Sequence, residues 1–130
     1  METNAKSMNI ANGTVHYPER TVILSEKEWK QHPEFSGVYL KHLITGQDTG
    51  GVFSSHLVKI DPHCILDTHC HADRMELHEV LEGKGECRLM DQSFVYHFGK
   101  SALIPKEVMH SVHAGERGLT LIAKFFPALI

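Results

Sequence analysis

Two histidines separated by one residue, His69 and His71, are followed five residues later by a carboxylate, Glu76, and then by Val80-Leu81-Glu82-Gly83. Side chains of a β-strand alternate between faces, so His69 and His71 point the same way. Neutral imidazoles beside a carboxylate suit a divalent transition metal. Eleven histidines in 130 residues is the compositional outlier, and five of them (His56, His63, His69, His71 and His78) fall between residues 56 and 78. Histidines can gather on an exposed face without function. Their clustering around an interleaved carboxylate points instead to metal coordination. Cys70, between the two histidines, faces the other way and reads as a small buried apolar residue.

Such a group needs a framework of strands to hold it. From Gly37 onward the sequence is punctuated as an all-β protein, with short β-prone runs between turn residues. Expected strands are 38–44, 52–60, 67–71, 75–82, 86–90, 94–98, 101–104, 110–114 and 119–126. Glu82-Gly83-Lys84-Gly85 reads as a tight turn and residues 46–51 as a loop. Ahead of these, Thr21–Leu24 is a short strand. Ser25-Glu26-Lys27-Glu28 has the pattern of a capping box, which predicts one short helix through Trp29 and Lys30, stopped before Pro33. Residues 1–20 have turn signals and little periodicity and are expected to be a weakly ordered arm; residues 21–130 form the expected domain.

Alternation assigns faces. Lys124 marks the outside of the last strand, so Leu119, Leu121, Ala123 and Phe125 point inward. Lys59 puts Ser54, His56 and Val58 inside, and Lys41 puts His42 inside. His78 shares the inward face of Glu76. It is either a partner that supports a ligand or carries protons, or a core histidine bonded to a backbone carbonyl. His56 is a second candidate for proton transfer; His97 and His113 read as surface residues.

Bulk properties narrow the function. The chain is long enough for one domain with a real core. A net charge of −3 with scattered Lys and Arg lacks the footprint of a nucleic-acid binder. No apolar run approaches the roughly 20 residues that cross a bilayer, and Met1–Ser7 lacks an apolar signal core, so a cytoplasmic location is expected. Three cysteines, Cys64, Cys70 and Cys87, with no close pair argue against a disulfide framework or a cysteine zinc finger. The apolar ending Phe125–Ile130 is expected to dock on the body of the protein or across a dimer.

At this point the chain resembles the cupins, small jelly-roll barrels that bind a metal inside. The family's first motif is glycine, five residues, His-x-His, three or four residues, Glu, six residues, Gly; here it is matched by His69, His71, Glu76 and Gly83. The second is Gly, five residues, Pro-x-Gly, two residues, His, three residues, Asn, matched by Gly99, Pro105 and His110. The chain departs at three positions, with His63 and Glu107 in place of glycines and Ala114 in place of Asn. The resemblance implies an all-β, double-stranded β-helix or jelly-roll barrel. It implies His69, His71, Glu76 and His110 as ligands of one divalent transition metal, whether Fe, Mn, Ni, Zn or Cu. That ligand set leaves positions open for a substrate. The expected function is a metal-dependent oxygenase, lyase or isomerase acting on a small molecule, with His78 and His56 as candidate catalytic residues. The alternative is a non-catalytic cupin that senses a ligand or metal. A homodimer without nucleic-acid or membrane partners is expected in either case.

Overall fold

The computed structural model describes residues 10–67 and 73–130. Among these, ten strands are present: β1 (Thr14–His16), β2 (Thr21–Ile23), β3 (Lys30–Gln31), β4 (Val38–Ile44), β5 (Ser54–Ile60), β6 (Ile65–Leu66), β7 (Met75–Leu89), β8 (Gln92–Tyr96), β9 (Ser101–Ile104) and β10 (His110–Phe126). Every pairing is antiparallel, some between strands joined by short turns and others between strands far apart in sequence. β1 and β2 form a hairpin. The remaining eight form one sheet with a main path β3-β4-β5-β10-β7-β8, to which β6 adds beside β10 and β9 beside β7.

The 15-residue β7 and 17-residue β10 form the spine. Each covers a length that the sequence divides in two. Glu82–Gly85 is not a tight turn: the strand runs through it, and the register with β10 shifts between Ala114 and Leu119. Glycines within a strand permit such a bulge and a close backbone approach. Gly83 shows both. Its φ is 84°, and a Cβ there would lie 2.2 Å from the Gly118 carbonyl oxygen.

The sheet buries Val38, Val58, Ile60, Val80, Cys87, Tyr96, Val112, Leu121 and Phe125 on its core face. Each fully buried aliphatic side chain there contributes about 1.5–3 kcal/mol. The inward positions expected for β10 (Leu119, Leu121, Ala123, Phe125) and β5 (Ser54, His56, Val58) are all buried. Lys41 is a correction. Its face is opposite to His42, but Lys41 is only 3% exposed. The segment before β1 covers it: Lys41 Nζ donates to the Ala11 carbonyl at 2.8 Å, and Ala11 packs with Leu24, Leu43 and Leu57. Within the stretch expected to be a weakly ordered arm, β1 thus pairs with β2 and Ala11 is buried, because the outer face of β4 and β5 is itself apolar.

The predicted helix after Ser25 is also corrected. A 3-10 turn spans Leu24–Glu26, Ser25 makes no cap, and Lys30–Gln31 pairs with Tyr39 and Leu40 as β3. Sheet pairing outcompetes a two-turn helix, which is marginal on its own. The expected loop at 46–51 contains a single helical turn, α1 (Gly46–Thr49), where the Asp48 carboxylate accepts the Thr45 N–H at 2.9 Å. The chain end folds back onto this turn: the Gly46 N–H donates to the Ile130 carbonyl, and Ala128 N–H donates to Gly51 at 3.2 Å. Phe126 stacks on Phe53.

Candidate metal centre

β7 and β10 bring the candidate residues together. Phe125 faces Glu76 and Ala123 faces His78 across the pair, so Glu76 and His78 occupy successive core-facing positions of β7. His110 opens β10, opposite Leu89. Glu76 is 4% exposed, His78 0% and His110 5%. Their ligand atoms lie within 4.8 Å of one another, a grouping that could hold a metal ion.

The hydrogen bonds sort these groups. His78 uses both ring nitrogens: Nε2 is 2.6 Å from Glu76 Oε2, and Nδ1 is 2.9 Å from the Tyr96 hydroxyl. His110 Nδ1 lies 3.3 Å from the Val108 carbonyl, which can only accept, so the proton sits on Nδ1. That leaves the lone pair of Nε2 directed at Glu76 Oε1, 3.1 Å away. Oε1 is buried and accepts no hydrogen bond. A lone pair facing a carboxylate oxygen at that distance is repulsive unless a cation or proton lies between them, so the donor set fits a metal. Burial favours protonation of Glu76, but His78, whose ring lies 2.6 Å from Oε2, outweighs it and holds the carboxyl well below the usual range. Burial pushes the Tyr96 phenol well above its ordinary value, so it remains a donor.

His69, His71 and Cys70 lie outside the described residues. His56 does not join this group. It is fully buried on β5, against His42 and Ser54. Burial first, and then His42, push its pKa down to about 4. His97 is exposed, and His113 is half-buried with its ring bonded to Ser111. The sequence analysis missed Tyr96. Tyr96 is the one buried residue of an otherwise exposed β8, so alternation along that strand gave no signal for it.

The turn glycines of the second motif are informative. Gly99 has φ 92°. Glu107, in place of that motif's other glycine, and His63, in place of the first motif's leading glycine, adopt φ of 66° and 61°. The backbone therefore keeps the left-handed shape and accepts about 1 kcal/mol or more of strain at each non-glycine residue. Ala114 is a buried strand residue paired with Gly85.

The family model described as the cupin domain matches residues 56–122. The chain belongs to the cupin family. Solved cupin-like structures agree with this fold. KdgF from Halomonas sp. is 24% identical with a TM-score of 0.70, covering 81% of this chain and 92% of that one. A predicted oxalate decarboxylase from Thermotoga maritima is 18% identical with a TM-score of 0.73, covering 79% and 95%. An RmlC-like cupin from Shewanella frigidimarina NCIMB 400 is 20% identical with a TM-score of 0.70, covering 81% and 87%. No curated protein matches the sequence significantly. Among the described residues, no helix of this cupin is long and apolar enough to cross a membrane.

Proposed function

We propose that this cupin is a jelly-roll barrel that holds one divalent transition metal through His69, His71, Glu76 and His110 and acts on a small molecule. The observation that carries the reading is the opposition of His110 Nε2 and Glu76 Oε1, 3.1 Å apart, in a site where Oε1 has no hydrogen bond. His69 and His71 enter through the motif. The solved neighbour described as a predicted oxalate decarboxylase supports an enzyme over a sensor.

The bound metal would supply Lewis acidity or redox chemistry toward an oxygen-bearing ligand. The protein's part is positioning and proton handling. The Val108 carbonyl fixes the tautomer of His110. Glu76 stays ionised and offers Oε1. His78 is the proton carrier: the Tyr96 hydroxyl donates to Nδ1, and Nε2–H donates to Glu76 Oε2. With both nitrogens engaged, His78 acts beside the metal ligands rather than as one of them. The proposed setting is cytoplasmic. The proposed assembly is a homodimer, for which Phe94, Val95, Phe98 and Leu103 offer exposed apolar surface on and beside β8 and β9.

Elemental analysis of protein purified from metal-replete cells without added metal tests this. About one transition-metal ion per chain is expected, with His110→Ala and Glu76→Gln falling to near zero while circular dichroism shows the fold retained. Metal-free wild-type protein would sink the reading.

A further inference from the structure

A second polar cluster lies on the core face of β4 and β5, and the metal reading makes no use of it. His42 and His56 are directly paired across these strands, with their Nδ1 atoms 2.7 Å apart and their rings nearly perpendicular. His56 Nε2 is 2.8 Å from Ser54 Oγ. Ser54 Oγ in turn accepts the backbone N–H of Leu129 at 2.8 Å. Ser54 and His56 are wholly buried, and His42 is half-buried.

The direction of this chain follows from counting protons. A backbone N–H can only donate, and a hydroxyl has one proton to give. Among the described residues, the acceptor available to Ser54 O–H is His56 Nε2. A neutral His56 then carries its proton on Nδ1 and donates it to His42 Nδ1. A neutral His42 that accepts at Nδ1 carries its own proton on Nε2. Both rings are held neutral. Burial pushes His56 down to about 4, and burial, followed by the charges of Lys30 and Lys27, lowers His42. The result is a fixed series of donors that begins at the docked chain end and finishes at His42 Nε2–H. That last donor has no hydrogen-bond partner among the described residues.

We propose that His42 Nε2–H is a binding donor for a carboxylate oxygen of a small-molecule ligand, with Ser54 and His56 as positioning residues that fix its tautomer. The charges acting on His42 itself, from Lys30 and Lys27, are positive, while the Glu76 carboxylate acts on His56 behind it, so an anionic acceptor is favoured at the His42 end of the series over a neutral one. His42 also lies in one cross-strand row with the candidate metal centre: His42 pairs with His56, His56 with Ala123, and Ala123 with His78. Taking the ligand as the molecule that the metal centre acts on rests on the proposed function; the donor series itself does not.

Metal-free full-length protein separates the two. Two-bond nitrogen–proton NMR of ¹⁵N-histidine-labelled chain should place the His56 proton on Nδ1 and the His42 proton on Nε2. Opposite tautomers would overturn the proposal. Malonate, used as the probe, should shift the His42 signals saturably. His42→Phe should weaken malonate binding about tenfold or more, the loss expected for one hydrogen bond to a charged group. His42→Gln, which keeps an N–H donor, should recover most of the affinity. Ser54→Ala should mix the His56 tautomers and give a smaller loss. Absence of saturable binding in wild type, or equal affinity after His42→Phe, would refute it. If His42→Phe does not fold, Ser54→Ala and His42→Gln carry the same comparison. Intact malonate binding in a wild-type protein that takes up no metal would support this donor while removing the metal reading alone.

Discussion

Two histidine groups share one core face and are built in opposite ways. At the β7–β10 end, Glu76 supplies a buried negative charge, and His78 and His110 converge on it. At the β4–β5 end, His42, His56 and Ser54 form a neutral series with no carboxylate in its hydrogen bonds. Ala123 sits between them in the row. The difference teaches what a buried histidine becomes. Beside a carboxylate, imidazole nitrogens and oxygens collect a cation or a proton. Beside a hydroxyl and another imidazole, burial enforces neutrality and the hydrogen bonds set a direction.

The sharpest way to break this comparison is through acid. His56 has a folded-state pKa near 4, below the ordinary histidine value of 6.5. The unfolded chain therefore binds the proton first as pH falls. The stabilisation is complete above about pH 6.5 and is lost on descending toward pH 4, by about 2 kcal/mol between pH 7 and 5. Urea unfolding at those two pH values should show that slope in wild type. It should be flatter in His56→Phe, whatever that variant's stability at pH 7. Equal slopes would show that His56 is not held neutral.

A smaller effect is expected at the other end. Tyr96→Phe removes the donor to His78 Nδ1 while keeping the ring in its buried place. Groups that orient a metal site typically contribute 10–100-fold in affinity, so metal binding read by competition with a chelator should weaken at least about tenfold. The His42 and His56 tautomers should not change. A change in both groups would mean that the two ends are not independent. The smallest effect belongs to a histidine in neither group. His97 is exposed, with its ring against the Phe98 carbonyl. His97→Ala should alter unfolding free energy by less than about 0.5 kcal/mol and leave metal content unchanged.

The sequence by itself determined the all-β class, the core faces of β5 and β10, and the inclusion of Glu76 and His110 in one motif pair. These are local properties. Alternation has a period of two, and motif spacing is counted along the chain. The departures at Glu107 and His63 were visible in the sequence, but only the structure shows that the backbone there stays left-handed. Other features depended on contacts between segments far apart in sequence. Strand length was one: β7 continues through Gly83 and Gly85, and β10 through Gly115 and Gly118, because each strand supplies the other's hydrogen-bond partners on both sides of these glycines. The burial of Lys41 was another, since a charge marks the outside only until another segment covers it, here Ala11, 30 residues away. The roles of the histidines were the last. His56 and His78 have the same residue type and facing. Each has a polar partner two residues away on its own strand, Ser54 for one and Glu76 for the other, but only the neighbours from other strands, His42 and Tyr96, complete the hydrogen bonds that decide which holds a direction and which carries a proton.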